Sequence, residues 1–130
     1  MKREQMRDFV PRESAEQEAL MDWANRASGK WTELALLFHI PNGGSRNEIE
    51  AAHLRRQGVK AGVPDLCLPV SRGGCHGLYI ELKRRQGGRV SPNQSAWLVA
   101  LNAQGYAAVV CNGWEEAKAT IESYLKGDQV

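Results

Sequence analysis

Leu78-Tyr79-Ile80-Glu81-Leu82-Lys83 is a short apolar run that carries two opposite charges. Side chains alternate faces along a strand, so Glu81 and Lys83 share one face and Leu78, Ile80 and Leu82 share the other. Burying a carboxylate and an ammonium beside apolar neighbours is costly unless they are paired or hold a metal. Upstream, Gly62-Val63-Pro64-Asp65-Leu66 sets another carboxylate at the head of an apolar run. Ser71-Arg72-Gly73-Gly74 between them has turn composition, so strands at 65–70 and 77–83 are expected to form a hairpin. Two carboxylates and a lysine brought together by adjacent strands suit phosphodiester hydrolysis. The carboxylates would hold a hard divalent cation, and the lysine would position or activate the attacking water.

Each residue also has a plain reading. Pro64-Asp65 is common turn chemistry. Glu81 and Lys83 fit the exposed face of an edge strand, where lysine guards against pairing. Only the combination argues for a reacting centre.

Working outward, Glu13–Ala27 reads as a helix with Leu20, Met21, Trp23, Ala24 and Ala27 as its apolar positions and Gly29 as its stop. Leu34–Ile40 reads as a strand, followed by a turn at Pro41-Asn42-Gly43-Gly44. Asn47 is placed to cap a helix through Gln57, ended by Gly58. Ser91-Pro92-Asn93-Gln94 is a helix start, with Ser at the cap, Pro at the first position and Gln three after the cap. That helix is expected to reach Gln104. The apolar run Tyr106–Cys111 reads as a strand covered on both faces. Asn112-Gly113 then turns into a last helix ending near Leu125. The order α-β-α-β-β-α-β-α predicts an α/β fold, a mixed sheet with helices on both faces. Residues before about Pro11 read as a polar arm.

With 130 residues the chain suits one domain over 1–130, and its 42% hydrophobic and 25% charged composition is that of a globular protein. A net charge of +2 does not by itself argue for nucleic acid. The local distribution is more telling. Arg46, Arg55, Arg56 and Lys60 precede Asp65, and Arg84, Arg85 and Arg89 follow Lys83. Basic residues on both sides of an acidic pair suit a polyanion. The same residues also read as a solvated surface. No apolar run is long enough to span a membrane, and Met1–Arg7 lacks the apolar stretch of a signal peptide. Cys67, Cys75 and Cys111 read as free thiols of a reducing cytosol. Cys75-His76 has no paired Cys-x-x-Cys to make a zinc site. Gly43-Gly44, Gly73-Gly74 and Gly87-Gly88 do not match the spacing of a nucleotide-binding loop. Trp23, Trp31, Trp97 and Trp114 read as core or interface residues.

Several stretches, in order, carry a family likeness. They are Glu13-Ser14-Ala15-Glu16-Gln17 with Trp23-Ala24, then His39-Ile40-Pro41-Asn42-Gly43-Gly44-Ser45-Arg46, then Gly58-Val59-Lys60-Ala61-Gly62-Val63-Pro64-Asp65-Leu66. Tyr79-Ile80-Glu81-Leu82-Lys83, Ser91-Pro92-Asn93-Gln94 with Trp97, and Gly105-Tyr106 complete the set. Together they make the chain resemble the VRR-NUC branch of the PD-(D/E)xK nuclease superfamily, in its small stand-alone phage and bacterial form. The resemblance spans about Glu13 to Leu125 and implies a restriction-endonuclease-like three-layer core. It implies that Asp65 and Glu81 bind the metal, Mg²⁺ or Mn²⁺, with the Leu82 carbonyl as a further ligand. Lys83 would orient the water and offset charge on the phosphate. Gln94 would be the accessory active-site residue. A first-helix glutamate would complete the acidic set; Glu13 matches best, and Glu16 is the competitor.

The likeness further implies a DNA partner, here branched DNA. A four-way Holliday junction needs two symmetric active sites, which a homodimer supplies. Asn42, Arg46, Lys60, Arg84 and Arg85 are the expected DNA contacts. Two other readings stand beside it: a nicking or restriction-type nuclease without junction preference, and a non-catalytic DNA-binding module.

Overall fold

The computed structural model describes residues 10–41 and 47–130. The polar arm before residue 10, and Asn42 and Arg46 of the turn, lie outside the described residues. Helix α1 spans Glu13–Ala27, strand β1 Phe38–His39, α2 Glu48–Arg56, β2 Leu66–Leu68, β3 Leu78–Lys83, α3 Pro92–Ala103, β4 Ala107–Asn112 and α4 Trp114–Leu125. This is the expected α/β order. The four strands form one mixed sheet in the order β1-β2-β3-β4. β1 with β2 and β2 with β3 are antiparallel, and β3 with β4 is parallel. Parallel neighbours need a crossover, which α3 provides. α1 and α4 pack on each other and on β3, while α3 packs on β4, so helices flank the sheet.

The expected hairpin of β2 and β3 is present, but its first strand is shorter than 65–70. Pro69 lacks an N–H to continue the ladder, and Val70 N–H turns back onto the Leu68 carbonyl at 2.8 Å. The expected strand Leu34–Ile40 is mostly a 3-10 turn, Thr32–Leu36, and only Phe38–His39 is extended. Leu34 and Leu37 are both buried. Residues three apart fall on one side of a helical turn, whereas a strand would send them to opposite faces.

Leu66 and Leu68 pair with Ile80 and Leu78, so all four share one sheet face, with Leu82. All five are almost wholly buried beside Leu20 and Ile121. Each such side chain contributes about 1.5–3 kcal/mol. Tyr124 closes the far end, its hydroxyl donating to the Val70 carbonyl at 2.6 Å. The opposite face carries Cys67, Tyr79, Glu81 and Lys83. β3 is central rather than an edge, which overturns the plain reading of Glu81 and Lys83 as solvent-facing. No helix among the described residues is long and apolar enough to cross a membrane.

Candidate active site

The site begins with a mismatch in strand length. β2 starts at Leu66, opposite Ile80, so Glu81, Leu82 and Lys83 run on past it. On the other edge β4 continues to the Lys83 and Asn112 pair. Among the described residues no strand lies along the β2 edge of the last three residues of β3, and Asp65 stands there. Its Oδ2 accepts the Leu82 N–H at 2.8 Å. The N–H and C=O of one strand residue point to the same edge, so the Leu82 carbonyl also faces the Asp65 side. The backbone carbonyl of Asp65 accepts Ile40 N–H at 2.7 Å and His39 Nδ1–H at 2.9 Å.

From the other direction α3 delivers Gln94. Ser91 Oγ accepts Gln94 N–H at 3.2 Å, and Gln94 Oε1 accepts Ser91 N–H at 2.9 Å, the reciprocal capping box foreseen from Ser91-Pro92-Asn93-Gln94. The same Oε1 accepts Lys83 Nζ at 3.0 Å, and Nε2 donates to Glu81 Oε2 at 3.3 Å. One amide thus caps the helix and bridges the charged pair. Lys83 Nζ also stands 3.6 Å from Glu81 Oε2.

Glu81 is 1% exposed and Lys83 6%. Among the described residues the Glu81 Oε1 is buried with no hydrogen-bond partner. Burial pushes the Glu81 carboxyl up to about 8, reinforced by the neighbouring Asp65 carboxyl and opposed by the Lys83 ammonium.

Glu13 and Glu16 part company. Glu13 Oε1 lies 3.8 Å from Lys83 Nζ. It lines a cavity of about 200 Å³ with Ser14, Gln17, His39, Asp65 and Leu82. Glu16 is buried against Arg85 instead, whose guanidinium hydrogen bond holds its carboxyl below the usual range. The first-helix carboxylate beside the site is Glu13. Ser14 and Gln17 were not singled out from sequence; Gln17, four residues after Glu13, shares its helix face.

Among the expected DNA contacts, Lys60 is exposed just before the Asp65 segment. Arg84 is exposed and donates to the Gly87 carbonyl at 3.1 Å. Arg85 is engaged differently from expectation, because its Nε and Nη2 are committed to Glu16. Trp97 is half-buried, and its indole donates to the Ala61 carbonyl at 3.1 Å, tying the Asp65 segment to α3.

Among the described residues no three His, Cys, Asp or Glu side chains form a ready metal cluster. The available donors are the Asp65 and Glu81 carboxyls and the Leu82 carbonyl, with the Glu13 carboxyl lining the same cavity as Asp65 and Leu82. Three oxygens of this kind fit a hard cation that keeps waters or takes substrate oxygens. The unpartnered Glu81 Oε1 fits such an ion, since a buried orphan acceptor is otherwise costly.

A mixed sheet between helices, with two carboxyls and a lysine at the end of its central strand, is the build of a nuclease-type α/β domain. The VRR-NUC domain model matches residues 11–115. The chain belongs to the VRR-NUC family. A solved structure described as a VRR-NUC domain protein is similar to it, with a TM-score of 0.78 and 32% identity over 92% of each chain. No curated protein matches.

Proposed function

We propose that this chain is a Mg²⁺- or Mn²⁺-dependent DNA endonuclease whose reacting centre is Asp65, Glu81, Lys83 and Gln94, with Glu13 at its margin. The observation that carries the reading is the orphan Glu81 Oε1, buried beside Asp65 where β3 outruns β2. Asp65, Glu81 and the Leu82 carbonyl would hold the cation. When bound, the cation supplies Lewis acidity, which makes water easier to deprotonate and offsets charge on the phosphodiester.

The chain's own groups do the rest. Gln94 accepts from Lys83 and donates to Glu81, which fixes both in one arrangement before substrate arrives. The Lys83 ammonium, the one buried cation at the site among the described residues, is placed to hold water or to balance negative charge gathering on phosphorus. In the reaction a water oxygen bonds to phosphorus and the opposite P–O ester bond breaks. The water gives up a proton, and the leaving oxygen takes one. Lys60, five residues before Asp65, and Arg84, next after Lys83, are exposed and are the proposed backbone contacts.

The substrate we assign is branched DNA, a four-way Holliday junction, cut by a homodimer. One chain presents one site, and a two-fold junction calls for a symmetric pair. The free cysteines Cys67, Cys75 and Cys111 suit a reducing cytosol. The test is cleavage of end-labelled junction, 5′ flap, single strand and duplex with Mg²⁺, Mn²⁺ or EDTA. Metal-dependent, paired cuts in the junction are expected. Asp65→Ala and Glu81→Ala should abolish cutting while remaining folded; near wild-type turnover in either would refute the assignment. Equal cutting of plain duplex would favour the restriction-type reading, and binding without cutting would favour the DNA-binding module.

A further inference from the structure

Glu16 is 1% exposed and has no part in the reaction just proposed. A carboxylate so buried is costly unless its oxygens are taken up. Here they are. Oε2 accepts Arg85 Nε at 3.0 Å, and Oε1 accepts Arg85 Nη2 at 3.2 Å and Trp114 N–H at 3.3 Å. The arginine fork on a carboxylate fixes direction as well as distance.

Three elements meet at this point. Glu16 comes from the first turn of α1, Arg85 lies two residues beyond Lys83, and Trp114 opens α4. A helix start leaves N–H donors without internal partners, and Gly113 has no side chain to cap them. The Glu16 carboxylate takes one of those donors. Gly113 N–H in turn donates to the Lys83 carbonyl at 2.8 Å, so the same junction holds the backbone of Lys83. A Cβ on Gly113 would lie 3.3 Å from Arg85 Cβ and 3.6 Å from Glu16 Oε2, so the parts are in close contact.

Glu13 stands one turn before Glu16 on the same face of α1. Its 3.8 Å separation from Lys83 Nζ is too long for a hydrogen bond. The placement of Glu13 against Lys83 is therefore set by how α1 and β3 are held together. The fork between Glu16 and Arg85 holds them within one helical turn of that contact.

We propose that Glu16 and Arg85 are a positioning pair, which clamps the first turn of α1 to the chain beyond Lys83 and so sets Glu13 beside the Lys83 ammonium. The pair touches neither substrate nor metal and acts through Glu13. Its use in cleavage rests on the nuclease reading; the clamp itself does not.

The experiment uses the full chain with Glu16→Gln, which keeps shape and removes charge, and Arg85→Lys, which keeps charge and removes the fork. Nuclear Overhauser contacts between the Glu13 and Lys83 side chains are read without metal or DNA. They are expected to weaken in both variants while the core spectrum persists. Mn²⁺ affinity should fall in Glu16→Gln as it falls in Glu13→Gln, and the double variant should be no worse than Glu13→Gln alone. In the cleavage assay kcat should fall roughly ten- to a hundredfold with KM unchanged. Should Glu16→Gln fail to fold, Glu16→Leu with Arg85→Leu removes both charges, and the same contact should be lost. Retained contacts with only a lower melting temperature would make the pair structural and overturn the proposal. Additive losses of Mn²⁺ affinity would overturn its action through Glu13. If the wild type neither binds Mn²⁺ nor cuts DNA, the nuclease reading fails, and the Glu13 to Lys83 contacts alone decide the clamp.

Discussion

Glu81 is almost wholly buried beside the Asp65 carboxyl, and its acidity follows from that. A carboxyl raised to about 8 binds its proton more tightly folded than unfolded. The stability that proton brings is whole below the unfolded value and is lost as pH rises through about 8. Every tenfold gain in proton affinity is worth about 1.4 kcal/mol, so the loss amounts to roughly a few kcal/mol. Metal-free wild type should therefore lose melting temperature from about pH 5 to 8 more steeply than Glu81→Gln; parallel slopes would remove Glu81 as the cause. The cation proposed for this site would displace the same proton, so the rise in melting temperature on adding Mn²⁺ should be larger at about pH 8 than at about pH 6. Asp65, Glu81 and Lys83 were legible in the sequence because charge inside an apolar run is conspicuous. Gln94 was legible as a capping residue, and the structure brings the same amide to Lys83 and Glu81. The choice between Glu13 and Glu16 was not legible, because both occupy the first turn of an amphipathic helix.

At the scale of elements, the site is a problem of holding a loop against a helix. Gly62 has φ +93°, and a Cβ there would fall 2.6 Å from the Asn93 carbonyl carbon at the start of α3. Only glycine allows both the backbone conformation and the approach. Gly62→Ala should cost about 2 kcal/mol or more in chemical denaturation. It should also lower cleavage at temperatures where the protein is folded, because Asp65 follows three residues later. Unchanged stability and rate together would show that the loop and α3 are not coupled. The capped helices were read closely from sequence, since Asn47 and the Ser91 box are local chemistry. The stretch before Phe38 was misread because Leu34 and Leu37 lie in an apolar run whose period only their burial reveals. The early end of β2 was signalled by Pro69.

For the whole molecule, stability and chemistry sit at different ends. Tyr124 is 1% exposed, and its hydroxyl on the Val70 carbonyl fastens α4 to the end of β2, away from Asp65. Tyr124→Phe leaves that carbonyl unpaired and should cost about 1–3 kcal/mol, read as a lower melting temperature. Cleavage by the folded variant should be unchanged; a matching fall in kcat would mean that the two ends are coupled. By itself the sequence determined the element order, the helix caps and the residue types at the centre, because strand and helix periods and capping chemistry are written within a few neighbouring positions. The tertiary structure alone decided that β3 outruns β2, that Glu13 faces Lys83, and that Arg85 turns to Glu16 rather than outward. Those outcomes depend on strand register and on a partner 69 residues away, which no local period encodes.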